Sequence, residues 1–192
     1  GVDRNAALPK FAGETLVQKA VASVPEVNVD APAHGRKAVI YATCFGNFNN
    51  PEIGIAARQV LARNGVETEV VYPSCCGMPQ LEQGEIGRVA ENAATVAAEM
   101  APWIEKGYAI LALVPSCALM LKFEWPLIVP DNAAVKALAE ATFDIDEYII
   151  DIAKKEGIAE GVETVEGGAT LHLACHARAQ NFGQKSAEML RL

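Results

Sequence analysis

The stretch Lys37-Ala-Val-Ile-Tyr-Ala-Thr-Cys44 is an apolar, β-branched run that ends in a cysteine, and the pattern recurs along the chain. Glu67-Thr-Glu-Val-Val-Tyr72 leads to Cys75-Cys76-Gly77, Tyr108-Ala-Ile-Leu-Ala-Leu-Val114 leads to Cys117, and Thr170-Leu-His-Leu-Ala174 leads to Cys175. Each run has the length and composition of a buried strand. Helical patterns lie between them, and alternating strand and helix predict an α/β fold. The expected core is a mainly parallel four-stranded sheet with helices on both faces. Parallel strands point the same way, so Cys44, Cys75, Cys76, Cys117 and Cys175 are expected at one carboxyl edge. Open α/β sheets hold their ligands there.

Working outward, Asn50 is the expected cap of a helix with Pro51 at its first position. Ile53, Ile55, Ala56, Val60 and Leu61 form its expected apolar face, and Gly65 ends it. A long helix is expected over 85–106, burying Ile86, Val89, Ala93, Val96, Ala97 and Met100. A short apolar helix comes after Cys117, then Trp125-Pro126, then helices over 131–141 and 144–155. Residues 1–36 carry Pro9, Pro25 and Pro32 with little periodicity, and read as a linker or N-terminal extension. The last helical rhythm, from His176, reaches Leu192 without a capping Gly, Asn or Pro, and Gly1 is not an initiator. A segment of a longer polypeptide is therefore expected.

A net charge of −8 over 192 residues, with no basic stripe, argues against nucleic-acid binding. The longest uncharged apolar stretch, Tyr108 to Leu121, contains Pro115 and is too short to span a bilayer. No secretory signal opens the chain, so a cytoplasmic location with reduced thiols is expected. No phosphate-cradling glycine loop comes after any strand, which disfavours a nucleotide site.

Thiolates are stabilised where helices begin, because free backbone N–H groups and the helix dipole favour negative charge there. Thiols gathered at such junctions suit an iron–sulfur cluster. Zinc is the weaker candidate, since its ligands usually come as C-x-x-C pairs and the chain has none. Gly77 permits the sharp turn that lets adjacent Cys75 and Cys76 face one site. A metal-free alternative is a thiol enzyme using Cys44 and Cys117, or a redox switch using a Cys75–Cys76 disulfide.

Thirty residues separate Cys44 from Cys75-Cys76-Gly77, and forty separate Cys76 from Cys117 in Pro115-Ser-Cys117. This spacing resembles the cysteine-rich CCG domain found in heterodisulfide reductase and in anaerobic glycerol-3-phosphate dehydrogenase. Met120-Leu-Lys-Phe-Glu-Trp-Pro126 resembles the segment after the third cysteine position in the dehydrogenase group. Leu173-Ala-Cys175-His176 resembles the opening of a second copy of the motif. The resemblance implies a first CCG domain over 37–168 and the start of a truncated second copy over 169–192. It implies an iron–sulfur electron-transfer subunit of an oxidoreductase, with Cys44, Cys75, Cys76, Cys117 and, more weakly, Cys175 as metal ligands and Gly77 at the cofactor. Met120 stands where the fuller motif has another cysteine, so a four-thiolate cluster of the 4Fe-4S type is the expected cofactor. Implied partners are other oxidoreductase subunits or domains, including a ferredoxin-like N-terminal region and a second CCG domain. Through them comes a peripheral link to the membrane and its quinones.

Overall fold

The first apolar run pairs on both sides, which is why it sits at the centre of the sheet. The computed structural model describes residues 3–192, so Gly1 and Val2 of the expected N-terminal stretch lie outside it. Strands β1 (Lys37–Tyr41), β2 (Glu67–Val71), β3 (Ala109–Ala112) and β4 (Thr142–Asp144) form one sheet in the order β2-β1-β3-β4. Every pairing is parallel, with Val39 opposite Glu69 and Ile110, and Ala112 opposite Asp144. The predicted α/β architecture is therefore present.

Side chains alternate across the pleat, so β1 feeds two cores. Val39 and Tyr41, with Ile110 and Ala112, pack beneath α5 (Ile86–Glu105) and α8 (Ala133–Ala141). Ala38 and Ile40, with Leu111, pack against α3 (Pro51–Arg63) and α9 (Ile145–Lys155), through Leu61, Tyr148 and Ile152. Helix α5 buries Val89, Ala93, Val96, Ala97 and Met100 as expected, while Ile86 at its start is exposed.

The fourth strand is not where the sequence pattern put it. Thr142–Asp144, expected to be a short gap and the first residue of the next helix, pairs with β3, while 170–174 is irregular with Leu171 and His172 exposed. Three residues are too few to show a period of two. Helix α8 ends beside the free edge of β3, so the chain adds its next strand there. Asp144 then caps α9 in a reciprocal capping box with Glu147.

Within the stretch expected to be a linker, Leu16–Ala22 forms helix α1 with its own capping box at Thr15 and Gln18. Leu16 is fully buried, which contributes roughly 1.5–3 kcal/mol by itself. It seats against Gly54 of α3, where a Cβ would stand 2.2 Å from Leu16 Cδ2. Buried Arg58 donates to Ala20 O at 2.9 Å and Ser23 O at 3.0 Å, holding the segment to α3. This contact rotates α3 away from its expected face. Pro51, Gly54, Arg58, Leu61 and Ala62 are buried, whereas Ile53 and Val60 are exposed.

Helices α2 (Cys44–Phe48), α4 (Met78–Glu82) and α6 (Pro115–Leu119) are the short ones that begin at the carboxyl edge. Past α6 the chain runs through a π-helical turn, Met120–Glu124, into α7 (Trp125–Ile128). Pro126 removes an N–H donor just where the wider turn ends. The expected last helix is two, α10 (Cys175–Ala179) and α11 (Lys185–Met189), broken by Asn181 at φ 52° and Gly183 at φ 84°. Helix α10 packs on α6, and α11 on α9. Among the described residues no helix is long and apolar enough to cross a membrane.

Candidate functional site

Three of the four strand-to-helix junctions at the carboxyl edge carry cysteine. Cys44 is the first residue of α2, whose cap Thr43 accepts from the Gly46 N–H. Cys75 and Cys76 precede Gly77, which stands at φ 82° and caps α4. A side chain at Gly77 would meet Val89 Cγ2 only at 3.6 Å, so the backbone angle, not space, selects glycine. Cys117 lies in α6, buried with Cys76 in the core formed by α5 and the π-helical turn. The fourth junction, after β4, presents Asp144.

The thiols form a string. Cys75 Sγ lies 4.0 Å from Cys44 Sγ, and the Cys76 thiol, buried with Cys117 in one core, is electrostatically coupled to Cys75 and Cys117. Cys76 and Cys117 are buried, while Cys44 and Cys75 are half-buried at the solvent end. A cleft of about 410 Å³, lined by Ser74, Cys75, Gln80, Arg88, Asn92 and Thr95, opens beside Cys75.

Crowding sets the protonation. The neighbouring Cys76 thiol and burial hold Cys75 well above the ordinary thiol range, against the pull of the Gly77 N–H. Contact with Cys117 and burial push Cys76 up to about 12, while Cys75 and the Met78 N–H act the other way. Burial and the Cys75 thiol raise Cys44, opposed by the Phe45 N–H. On balance Cys44, Cys75 and Cys76 are raised, so these three keep their protons unless cations replace them. The donor set is thus one that a polynuclear thiolate-bound group fits: four soft ligands, N–H groups from helix starts facing the sulfurs, and a dry shell of Met120, Leu121 and Trp125. Among the described residues no three Cys, His, Asp or Glu side chains surround a single point as ligands of one metal ion.

Residues 38–122, which hold all four gathered thiols, match the family described as the cysteine-rich domain, CCG. Over these residues the chain is similar to that domain. The chain is also 28% identical over 147 residues to lactate utilization protein A of Bacillus cytotoxicus, covering 73% of this chain and 57% of that protein. The same protein from Bacillus pumilus is 29% identical over 147 residues, covering 73% and 58%. A Geobacillus relative of that name is also 29% identical, with the same shares of 73% and 58%. The chain thus spans a little over half the length of these curated relatives. No solved structure matches it at a significant level.

The fold brings together Cys44, Cys75, Cys76 and Cys117, with Gly77 at their turn, and leaves Cys175 apart. Cys175 is exposed at the start of α10, its thiol 3.8 Å from His176 Nδ1. Cys44 and Cys117 stand at opposite ends of the string, joined through the double cysteine. Residues that the sequence pattern does not single out also build the site. Buried Gln180 donates to Asp144 Oδ2 at 3.1 Å and Pro115 O at 3.3 Å, fastening α10 over α6. Lys122, bonded to Glu147 at 2.5 Å, lies over the rings of Phe123 and Phe182. Tyr41, Asn92 and Trp125 each reach the double-cysteine turn. Nothing local marks these residues, because their partners are distant in sequence.

Proposed function

We propose that this chain is the cluster-holding, electron-carrying portion of an iron–sulfur oxidoreductase subunit. The observation that carries the reading is the string of four thiols from three strand ends, with Cys44 Sγ and Cys75 Sγ 4.0 Å apart. The similarity of residues 38–122 to the CCG domain supports it. Cys44, Cys75, Cys76 and Cys117 would hold the group, four thiolates being the complement of a 4Fe-4S cluster. When bound, such a cluster stores and releases electrons one at a time.

The chain's own residues supply the rest. Backbone N–H groups of Phe45, Gly77 and Met78 face the sulfurs and stabilise their charge. Met120, Leu121 and Trp125 exclude water from the buried end, and the cleft beside Cys75 leaves the other end open to a partner. Gly77 makes the turn that presents both adjacent thiols. The names of the relatives bring lactate, a 2-hydroxy acid, as the fuel of the wider assembly. Kinship with heterodisulfide reductase is kept for the thiolate motif and not for the substrate. A ferredoxin-like region, a second CCG domain beginning near residue 169, and other subunits complete the assembly in this reading. Its place is the cytoplasmic side, with a peripheral link to membrane quinones.

Anaerobic purification and reconstitution test it. Brown protein with iron and acid-labile sulfide in comparable amounts is expected, and colourless protein without either overturns the reading.

A further inference from the structure

Three successive carbonyls at the double-cysteine turn are each tied by a side chain from a different element. Tyr41, the last residue of β1, donates its hydroxyl to Ser74 O at 2.5 Å. Asn92 of α5 donates its amide to Cys75 O at 2.5 Å. Trp125 of α7 donates its indole N–H to Cys76 O at 3.1 Å. Tyr41 and Trp125 are fully buried, so neither hydroxyl nor indole has water as a substitute partner. The three carbonyls belong to the peptides before, between and after the two cysteines. Cys75 O is the oxygen of the very peptide that joins them.

That peptide decides whether the pair can close on itself. Consecutive Cα atoms across a trans peptide are about 3.8 Å apart, whereas disulfide-linked Cα atoms usually stand about 4.4–6.8 Å apart. Closing a vicinal disulfide therefore requires the joining peptide to twist and its carbonyl to swing. With the carbonyl held by Asn92, and those on either side by Tyr41 and Trp125, all three hydrogen bonds resist that movement.

We infer that Tyr41, Asn92 and Trp125 are positioning residues that keep Cys75 and Cys76 as two separate thiols and bar the vicinal disulfide between them. The purpose rests on the cluster reading, since a metal site needs both sulfurs free. The device itself belongs to the metal-free chain and is tested there. It also sets aside a Cys75–Cys76 redox switch.

The test equilibrates the reduced, metal-free 192-residue chain in glutathione buffers of graded oxidation. A protein thiolate attacks the S–S bond of oxidised glutathione, releasing one glutathione thiol and leaving a mixed disulfide. The second cysteine attacks that bond, releasing the other glutathione. Two electrons and two protons pass from the pair to glutathione as the ring closes. After acid quench and alkylation, tryptic peptide 64–88 carries Cys75, Cys76 and no other cysteine, and the ring makes it two hydrogens lighter. Asn92→Leu keeps the shape and loses the donor. It is expected to shift ring closure about fivefold toward disulfide, the worth of one hydrogen bond of about 1 kcal/mol. Trp125→Phe and Tyr41→Phe shift it the same way by smaller factors. Mixed-disulfide levels at Cys44, Cys117 and Cys175 stay as in the native chain, whereas general loosening would raise the first two together. Folded variants that close the ring no more readily than the native chain overturn the inference. So does a native chain that closes it as readily as a synthetic 64–88 peptide, a comparison that needs no variant to fold. Absence of iron after reconstitution would sink the cluster reading and leave this result standing.

Discussion

Two stretches of this chain have nearly the same local form. At 70–77 and at 171–176 an apolar run meets cysteine just before a short helix. The first turns at Gly77, is tied by three side chains from other elements and shares its rim with the thiols of Cys44 and Cys117. The second is irregular, with Cys175 exposed beside His176. What separates them is the surrounding scaffold. A strand end becomes a site only where neighbouring strands deliver partners to the same rim.

The largest expected effect tests that contrast directly. Cys76→Ser, at the buried middle of the thiol string, should lower iron retained after anaerobic reconstitution by about tenfold or more, an order-of-magnitude expectation for losing a ligand. Cys175→Ser should leave it unchanged. Equal loss in both would erase the distinction between the two stretches.

Packing supplies the next test. Trp125→Ala opens the core beneath the double cysteine and should cost about 3–5 kcal/mol in denaturant unfolding. Trp125→Phe loses chiefly the bond to Cys76 O and should cost about 1 kcal/mol. Similar values for the two would mean that the indole N–H and the ring's bulk cannot be told apart. Gly77→Ala forces a left-handed angle on a side chain and should cost about 1–2 kcal/mol.

Gln180 ties the second stretch to the sheet's carboxyl edge, since it fastens α10 to Pro115 O and Asp144. Gln180→Leu should release α10, read as faster amide exchange over 175–179 with exchange in β1 unchanged, and cost about 1 kcal/mol. Uniform acceleration throughout the sheet would show α10 to be part of the core unit.

Asp144 gives the smallest effect and a pH signature. Burial raises its carboxyl above the usual range, against the Gln180 bond. A raised carboxyl favours the protonated fold, so its contribution is complete below the unfolded value near pH ~4 and is lost as pH rises through the folded value. Asp144→Asn keeps a capping side chain and removes the buried charge. Its stability relative to the native chain should be most favourable near neutral pH and decline on acidification. A relative stability that improves on acidification would reverse the assigned sign.

Much of this was legible in the residues. The runs ending at Thr43, Tyr72 and Val114 marked three strands, because a central parallel strand is apolar on both faces and leaves a continuous signature. Asn50-Pro51 marked the start of α3, and the period of α5 marked its buried face. Thr142–Asp144 was hidden by its brevity, and 170–174 had a strand's alternation but pairs with no strand of the sheet. The buried face of α3 could not be read locally because Leu16, nearly forty residues away, seats on Gly54 and turns the helix.

By itself the sequence determined that thiols would end parallel strands, since hydrophobic period and turn chemistry are local properties. The tertiary structure alone decided which thiols meet. Strand order places β1 between β2 and β3, so their cysteines converge while Cys175, attached to no strand, stays out. It also decided how the double cysteine is held, because hydrogen bonds from Tyr41, Asn92 and Trp125 exist only once three distant elements have packed.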